Sequence, residues 1–313
     1  MSLSDSDRRR PGKARHGEPQ HIRTGHSQAV HGARGHNQRV RGIEAAGDAD
    51  HRRVDPGAGQ LSDKVIEAIG KISKKPTQFI VNTNYRPEHT AGNEKVSAAG
   101  ADPSLVGSFF SNGFPDAGRT ATIIAHQNVE NHLLDRPAAG RPSDTFFVER
   151  RRKYHNEEAV EIFPMPSAVT DSDSIVHFRR SDVIVTGDIF DMTRYPMIDL
   201  KNGGSLQGEI KALNFILDRT VYIHDEDGGT MIIPGHGRVT DEWEVAEYRD
   251  MLVIIRDRVN DMIKKGATLE QVKAAKLTVD YDDRFGATTG PWTNEMFVEA
   301  VYSSLKNPPR PSN

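Results

Sequence analysis

The sequence predicts an α/β protein, with short strands interleaved with amphipathic helices. Three observations carry that reading. Runs of bulky, partly β-branched residues recur at 79–81, 122–125, 157–163, 174–178, 182–186 and 231–233, each of strand length. Apolar residues at helical spacing occur between and beyond them, as in Val65, Ile66, Ile69 and Ile72, or Val245, Tyr248, Leu252, Ile255, Val259 and Met262. Polar residues able to bind metal or substrate, Asn84, Arg86, Glu88 and His89, crowd just past the first strand. Layered α/β folds usually place ligands there, at the carboxyl ends of strands.

Residues 1–59 stand apart. Residues 1–54 carry 11 Lys and Arg against 6 Asp and Glu, no aromatic residue and only seven Ile, Leu, Met or Val. Such a stretch cannot bury enough apolar surface to offset the entropy of ordering, so it reads as a disordered or mis-framed segment. His16, His21, His26, His31 and His36 recur every five residues, a period that matches neither a helix face nor a strand face. No apolar core follows Arg8-Arg9-Arg10, so no signal peptide is visible and the chain as sequenced reads as cytoplasmic.

From Leu61 the elements follow in order. Ser62 is placed as the N-cap of a helix to about Ile72, with Leu61 and Ile66 as a hydrophobic staple. After the Phe79 strand, a single helix is expected from Glu88 to about Ala99, stopped by Gly100. Residues 101–121 read as a loop with an aromatic patch of Phe109, Phe110 and Phe114, suited to core or lid packing. His126 opens a helix to Leu134 and reads as structural. Residues 135–156, with two prolines and the basic run from Arg150 to Lys153, read as a surface connection. Ser205 can cap a helix to about Leu217, Thr240 the helix after it, and Thr268-x-x-Gln271 has the pattern of a capping box. A last helix spans 295–305, and residues 307–313 form a tail.

Composition narrows the chemistry. The 313 residues contain no cysteine, which excludes disulfides, thiolate metal sites and a cysteine nucleophile. Any metal must be held by His, Asp, Glu, Asn or backbone oxygen. No apolar run approaches about 20 residues, so no membrane span is expected. Beyond residue 54 acidic residues outnumber basic ones, 38 to 30, which argues against a nucleic-acid partner.

Four motifs then occur in sequence. Thr83-Asn84-Tyr85-Arg86-Pro87-Glu88-His89 followed by Thr90-Ala91-Gly92-Asn93 resembles the T-H-x-H-x-D-H and T-G-G-N signature of the metallo-β-lactamase superfamily. Ala168-Val169-Thr170-Asp171-Ser172-Asp173-Ser174 resembles its A-H-T-D-G-D-S, Thr186-Gly187-Asp188-Ile189-Phe190 its T-G-D-x-F, and Pro234-Gly235-His236-Gly237 its P-G-H-G. The resemblance covers 60–306 and implies an αββα four-layer sandwich whose first strands are missing or unrecognisable before Val54-Asp55-Pro56-Gly57.

The resemblance also implies a site. The family holds two zinc ions. Position by position, Asn84, Arg86 and Val169 replace all three histidines of the first ion, whereas Glu88, His89, Asp188 and His236 keep a ligand set for the second. One zinc ion, with the second site lost, is therefore expected. The mono-zinc branch of the family likewise carries Asn in an N-T-N-Y sequence, although it keeps the histidines that Arg86 and Val169 replace here. Asp188 would orient a water, with Arg86 and Asn84 stabilising an oxyanion. The implied function is hydrolysis of a small-molecule amide, lactone, ester or thioester, or, alternatively, binding of a ligand or partner by an inactive homologue.

Overall fold

Short, mostly apolar runs form strands buried on both faces, and these strands build two sheets. The computed structural model describes residues 52–54, 59–101, 120–220 and 229–307. The first sheet contains β1 (Arg52–Val54), β2 (Phe79–Val81), β3 (Thr122–His126) and β4 (Asp144–Phe146) in that order, all parallel. The second contains β5 (Arg151–His155), β6 (Glu158–Pro164), β7 (Ser174–Phe178), β8 (Val183–Val185) and β9 (Met231–Ile233). Strands β5 to β8 form an antiparallel meander, and β9 joins β8 in parallel.

Side chains one residue apart point to opposite faces, so each strand feeds two cores. Phe79, Val81 and Ile124 meet Val160, Ile162 and Val176 between the sheets. Ile80 and Ile123 face outward against Val65, Ile66 and Val96, carried by α1 (Ser62–Ile72) and a short helix at Asn93–Ala98. On the far side, Ile175, Ile184 and Ile232 pack beneath the helices Leu206–Leu217, Glu242–Lys264 and Asn294–Lys306. The result is four layers, αββα, as the resemblance implied. Each fully buried isoleucine in these layers contributes about 1.5–3 kcal/mol of transfer free energy.

Local readings of the sequence differ from the structure at several places. Leu61 occupies the N-cap position of α1, and the Ser62 hydroxyl instead donates to the Gly59 carbonyl at 2.9 Å. The helix expected from Glu88 to Ala99 is broken into α2 (Pro87–Thr90) and α3 (Asn93–Ala98). The Thr90 hydroxyl turns back to the Tyr85 and Arg86 carbonyls, and the Asn93 and Asn82 amides bond each other reciprocally at 2.9 and 3.0 Å. That pair ties the start of α3 to the end of β2.

The stretch 135–156 is not only a connection, because it holds β4 and β5. Its basic side chains have partners in the sheet: Arg151 pairs with Asp144 at 2.9 Å and Arg152 with Glu161 at 2.6 Å. A two-residue turn, Asn156 and Glu157 with φ of 51° and 60°, closes the β5–β6 hairpin. Asp241 rather than Thr240 caps the long helix, while the Thr268–Gln271 capping box and the Ser205 cap form as read. Strand β1 lies inside the leading segment expected not to fold; the rest of that segment up to 51, the Phe109, Phe110 and Phe114 patch, and residues 308–313 lie outside the described residues. Among the described residues, no helix is long and apolar enough to cross a membrane.

Candidate metal centre

Three turns at the carboxyl ends of β2, β8 and β9 meet at one point. After β2 the chain runs through Thr83 to Pro87, which starts α2 and needs no N–H there. This delivers Glu88 to the surface and His89 to the interior. The His89 ring is fixed at both ends: Nδ1 lies 3.2 Å from Thr83 Oγ1, and Nε2 lies 3.0 Å from Asp188 Oδ1.

After β8, Gly187 adopts φ +55° and turns the chain so that Asp188 faces His89. A Cβ at Gly187 would stand 2.5 Å from Thr83 Oγ1, so the turn also needs glycine for space. After β9, the Gly235 N–H donates to the Gly187 and Phe190 carbonyls at 2.9 and 3.1 Å, which brings His236 alongside.

Asp188 is nearly buried and divides its two oxygens. Oδ1 faces His89, with His236 Nε2 at 3.7 Å. Oδ2 accepts from Arg86 Nη1 at 2.9 Å and from Asn84 Nδ2 at 3.2 Å. Burial by itself pushes the Asp188 carboxyl up, but the adjacent His89, Arg86 and His236 outweigh it and hold the group well below the usual carboxylate range.

One ligand atom each from Glu88, His89 and Asp188 lies within 4.8 Å of the others. Two carboxylates and an imidazole in that space suit one divalent cation, with zinc among the candidates. The structure thus brings together three of the four residues expected to hold the ion. His236 stands outside this closest group, one-third exposed, at the edge of the shared carboxylate.

The three positions that lack histidine are filled differently. The Asn84 side chain is fully buried and committed: Oδ1 accepts the Arg86 N–H at 2.9 Å, and Nδ2 reaches Asp188 and, at 3.5 Å, Asp173. It therefore braces the site more directly than it could face a substrate. Val169 is fully buried. Arg86 donates to Asp188 and, through Nη2, to the Met197 carbonyl at 2.7 Å, which leaves other N–H groups of its five free for a ligand.

The structure adds residues that the motifs did not single out. Asp173 is buried, accepts from the Thr170 amide and hydroxyl, and has its carboxyl pushed up to about 7, first by burial and then by the Asp188 charge. Glu209, fully buried on the Leu206–Leu217 helix, has neither oxygen hydrogen-bonded among the described residues, and burial drives its carboxyl well above the usual range. Asp191 and Arg194 pair at 2.6 Å and line the cleft with Arg86, Glu88, Asp188 and Met197. Asp173 lay within a recognised motif; Glu209 and Arg194 carry no signal in one sequence. His126, read as structural, caps its helix by accepting from the Asn128 amide at 3.3 Å.

No protein-family model matches the chain, and no curated protein matches it in sequence. Solved structures do. The stereoselective inverting sec-alkylsulfatase Pisa1 from Pseudomonas sp. aligns over 82% of this chain with a TM-score of 0.58 and 13% identity. A double mutant of that enzyme aligns equally well, at 12% identity. The chain spans 46% of the alkylsulfatase's length. A metallo-β-lactamase from Pontibacter korlensis aligns over 66% of this chain and 83% of its own, with a TM-score of 0.49 and 13% identity. The chain has the metallo-β-lactamase fold.

Proposed function

We propose that the protein is a one-metal hydrolase, acting on a small amide, lactone, ester or thioester. The observation that carries this reading is the convergence of Glu88, His89 and Asp188 within 4.8 Å, with Arg86 against the same aspartate on its other side. His89 and Asp188 would hold the ion with Glu88, and His236 would close on it from the rim. Bound there, a divalent ion supplies Lewis-acid polarisation of a substrate oxygen.

The chain's own groups supply the rest. Asp188 stays ionised, which suits it to hold a cation and makes it a poor proton acceptor. Glu88, exposed beside it and loosely placed on the ion, would orient an attacking water through its second oxygen. The free N–H groups of Arg86 would stabilise negative charge growing on the substrate oxygen. Asn84 acts through Arg86 and Asp188 by holding both in place.

A binding-only homologue is the competing reading, favoured by the commitment of Asn84 to internal bonds and by the standoff of His236. Elemental analysis of the purified protein, with hydrolysis measured across acyl and alkyl sulfate esters, separates the two. The sulfate esters enter because of the alkylsulfatase likeness. We expect about one ion per chain and turnover that falls at least 100-fold in Glu88→Gln and His89→Ala. Metal-free protein after zinc dialysis, or variants as active as the parent, would reject the hydrolase.

A further inference from the structure

A groove of about 520 Å³ runs from the candidate centre between residues 197–201 and the Asn294–Lys306 helix. Arg86 and Met197 line both this groove and the small cleft that contains Glu88 and Asp188, so the two adjoin at those side chains. Its walls are largely apolar: Met197, Leu200, Trp292 and Met296. Leu200 is 39% and Met296 42% exposed, so both apolar side chains are open to a ligand in the groove.

The charges around the groove are mostly spent. Asp199 is held by the Tyr85 hydroxyl at 3.1 Å and the Asn202 amide at 2.8 Å, Glu299 pairs with Lys273 at 2.6 Å, and Arg86 pairs with Asp188. The Trp292 indole N–H is buried and has no acceptor among the described residues.

We infer that this groove seats an apolar acyl or alkyl arm of the substrate, so that the protein acts on amphiphiles whose cleavable bond lies at Arg86 and whose chain lies against Leu200 and Met296. The substrate class rests on the hydrolase reading; the groove itself does not. Burial of the chain favours binding by roughly 0.8 kcal/mol per methylene, or about fourfold in affinity for each one added.

Calorimetric titration of the full chain with straight-chain carboxylates from butanoate to decanoate tests the groove without requiring turnover. Dissociation constants should fall about two- to fourfold per methylene. Met296→Glu and Leu200→Asp, on separate elements and at exposed positions, should each abolish that trend. A flat dependence on chain length, or an unchanged trend in both variants, overturns the inference. The two readings fail separately. Chain-length-dependent binding with no ester turnover sinks only the hydrolase, whereas turnover of short and long esters alike, with flat binding, sinks only the groove.

Discussion

Arg86 Nη1 lies 2.9 Å from Asp188 Oδ2, and the two side chains are only 12% and 8% exposed. The opposite oxygen of the same carboxylate faces His89 at 3.0 Å. By resemblance this aspartate bridges two metals; here it bridges a guanidinium and a candidate metal pocket.

Breaking that pair should be costly. Arg86→Met leaves one oxygen of a buried carboxylate without its cation, a change expected to destabilise the fold by about 3–5 kcal/mol. Urea melts will read it. Because a bound ion adds its own stabilisation to the folded state, saturating zinc should recover part of the loss. A variant that melts with the parent would mean that Arg86 contributes nothing to holding Asp188.

Restoring the missing imidazoles should restore the missing site. In Asn84→His/Arg86→His/Val169→His, elemental analysis should find one zinc ion per chain more than in the parent. Circular dichroism would first establish that burying a histidine at position 169 leaves the fold intact. A folded triple variant that holds no more zinc than the parent would count against Arg86 as a stand-in for the second.

Asp173 should make stability fall with rising pH. Its carboxyl sits at about 7 in the folded chain, against the ordinary 3.8, chiefly because it is buried. The unfolded chain therefore ionises first, so the contribution is complete below about pH 4 and is lost as pH rises towards 7. The shift corresponds to a loss on the order of 4 kcal/mol across that window. Asp173→Asn keeps an acceptor for Thr170 and cannot ionise, so its stability relative to the parent should grow between pH 4 and 7 and level off above. Parallel stability curves for the two proteins would show that Asp173 is not a buried protonated acid.

How much was legible depended on how locally each feature is encoded. The strand at Phe79, the long helix on Val245 to Val259 and the Thr268 capping box rest on neighbouring residues, and all form as read. Strand β5 was missed because Arg151, Arg152 and Lys153 look like a solvated surface until Asp144 and Glu161 are placed beside them. The break between α2 and α3 was missed because it depends on Asn82, eleven residues before its partner Asn93.

The order of residues was enough to determine the αββα class, the candidate ligands Glu88, His89, Asp188 and His236, and the loss of three first-site histidines. Those features come from the resemblance of four short motifs to a known family, and such motifs are local enough to be carried by the order of residues. Only the tertiary structure decided that Asn84 turns inward, that His236 stands back from the other three, that Glu209 is buried with no partner among the described residues, and that a groove with apolar walls opens beside Arg86. Each of these depends on contacts between elements far apart in the chain, such as the 102 residues that separate Arg86 from Asp188. Distance and burial across such contacts are set by how the layers pack, and no local pattern of residues records them.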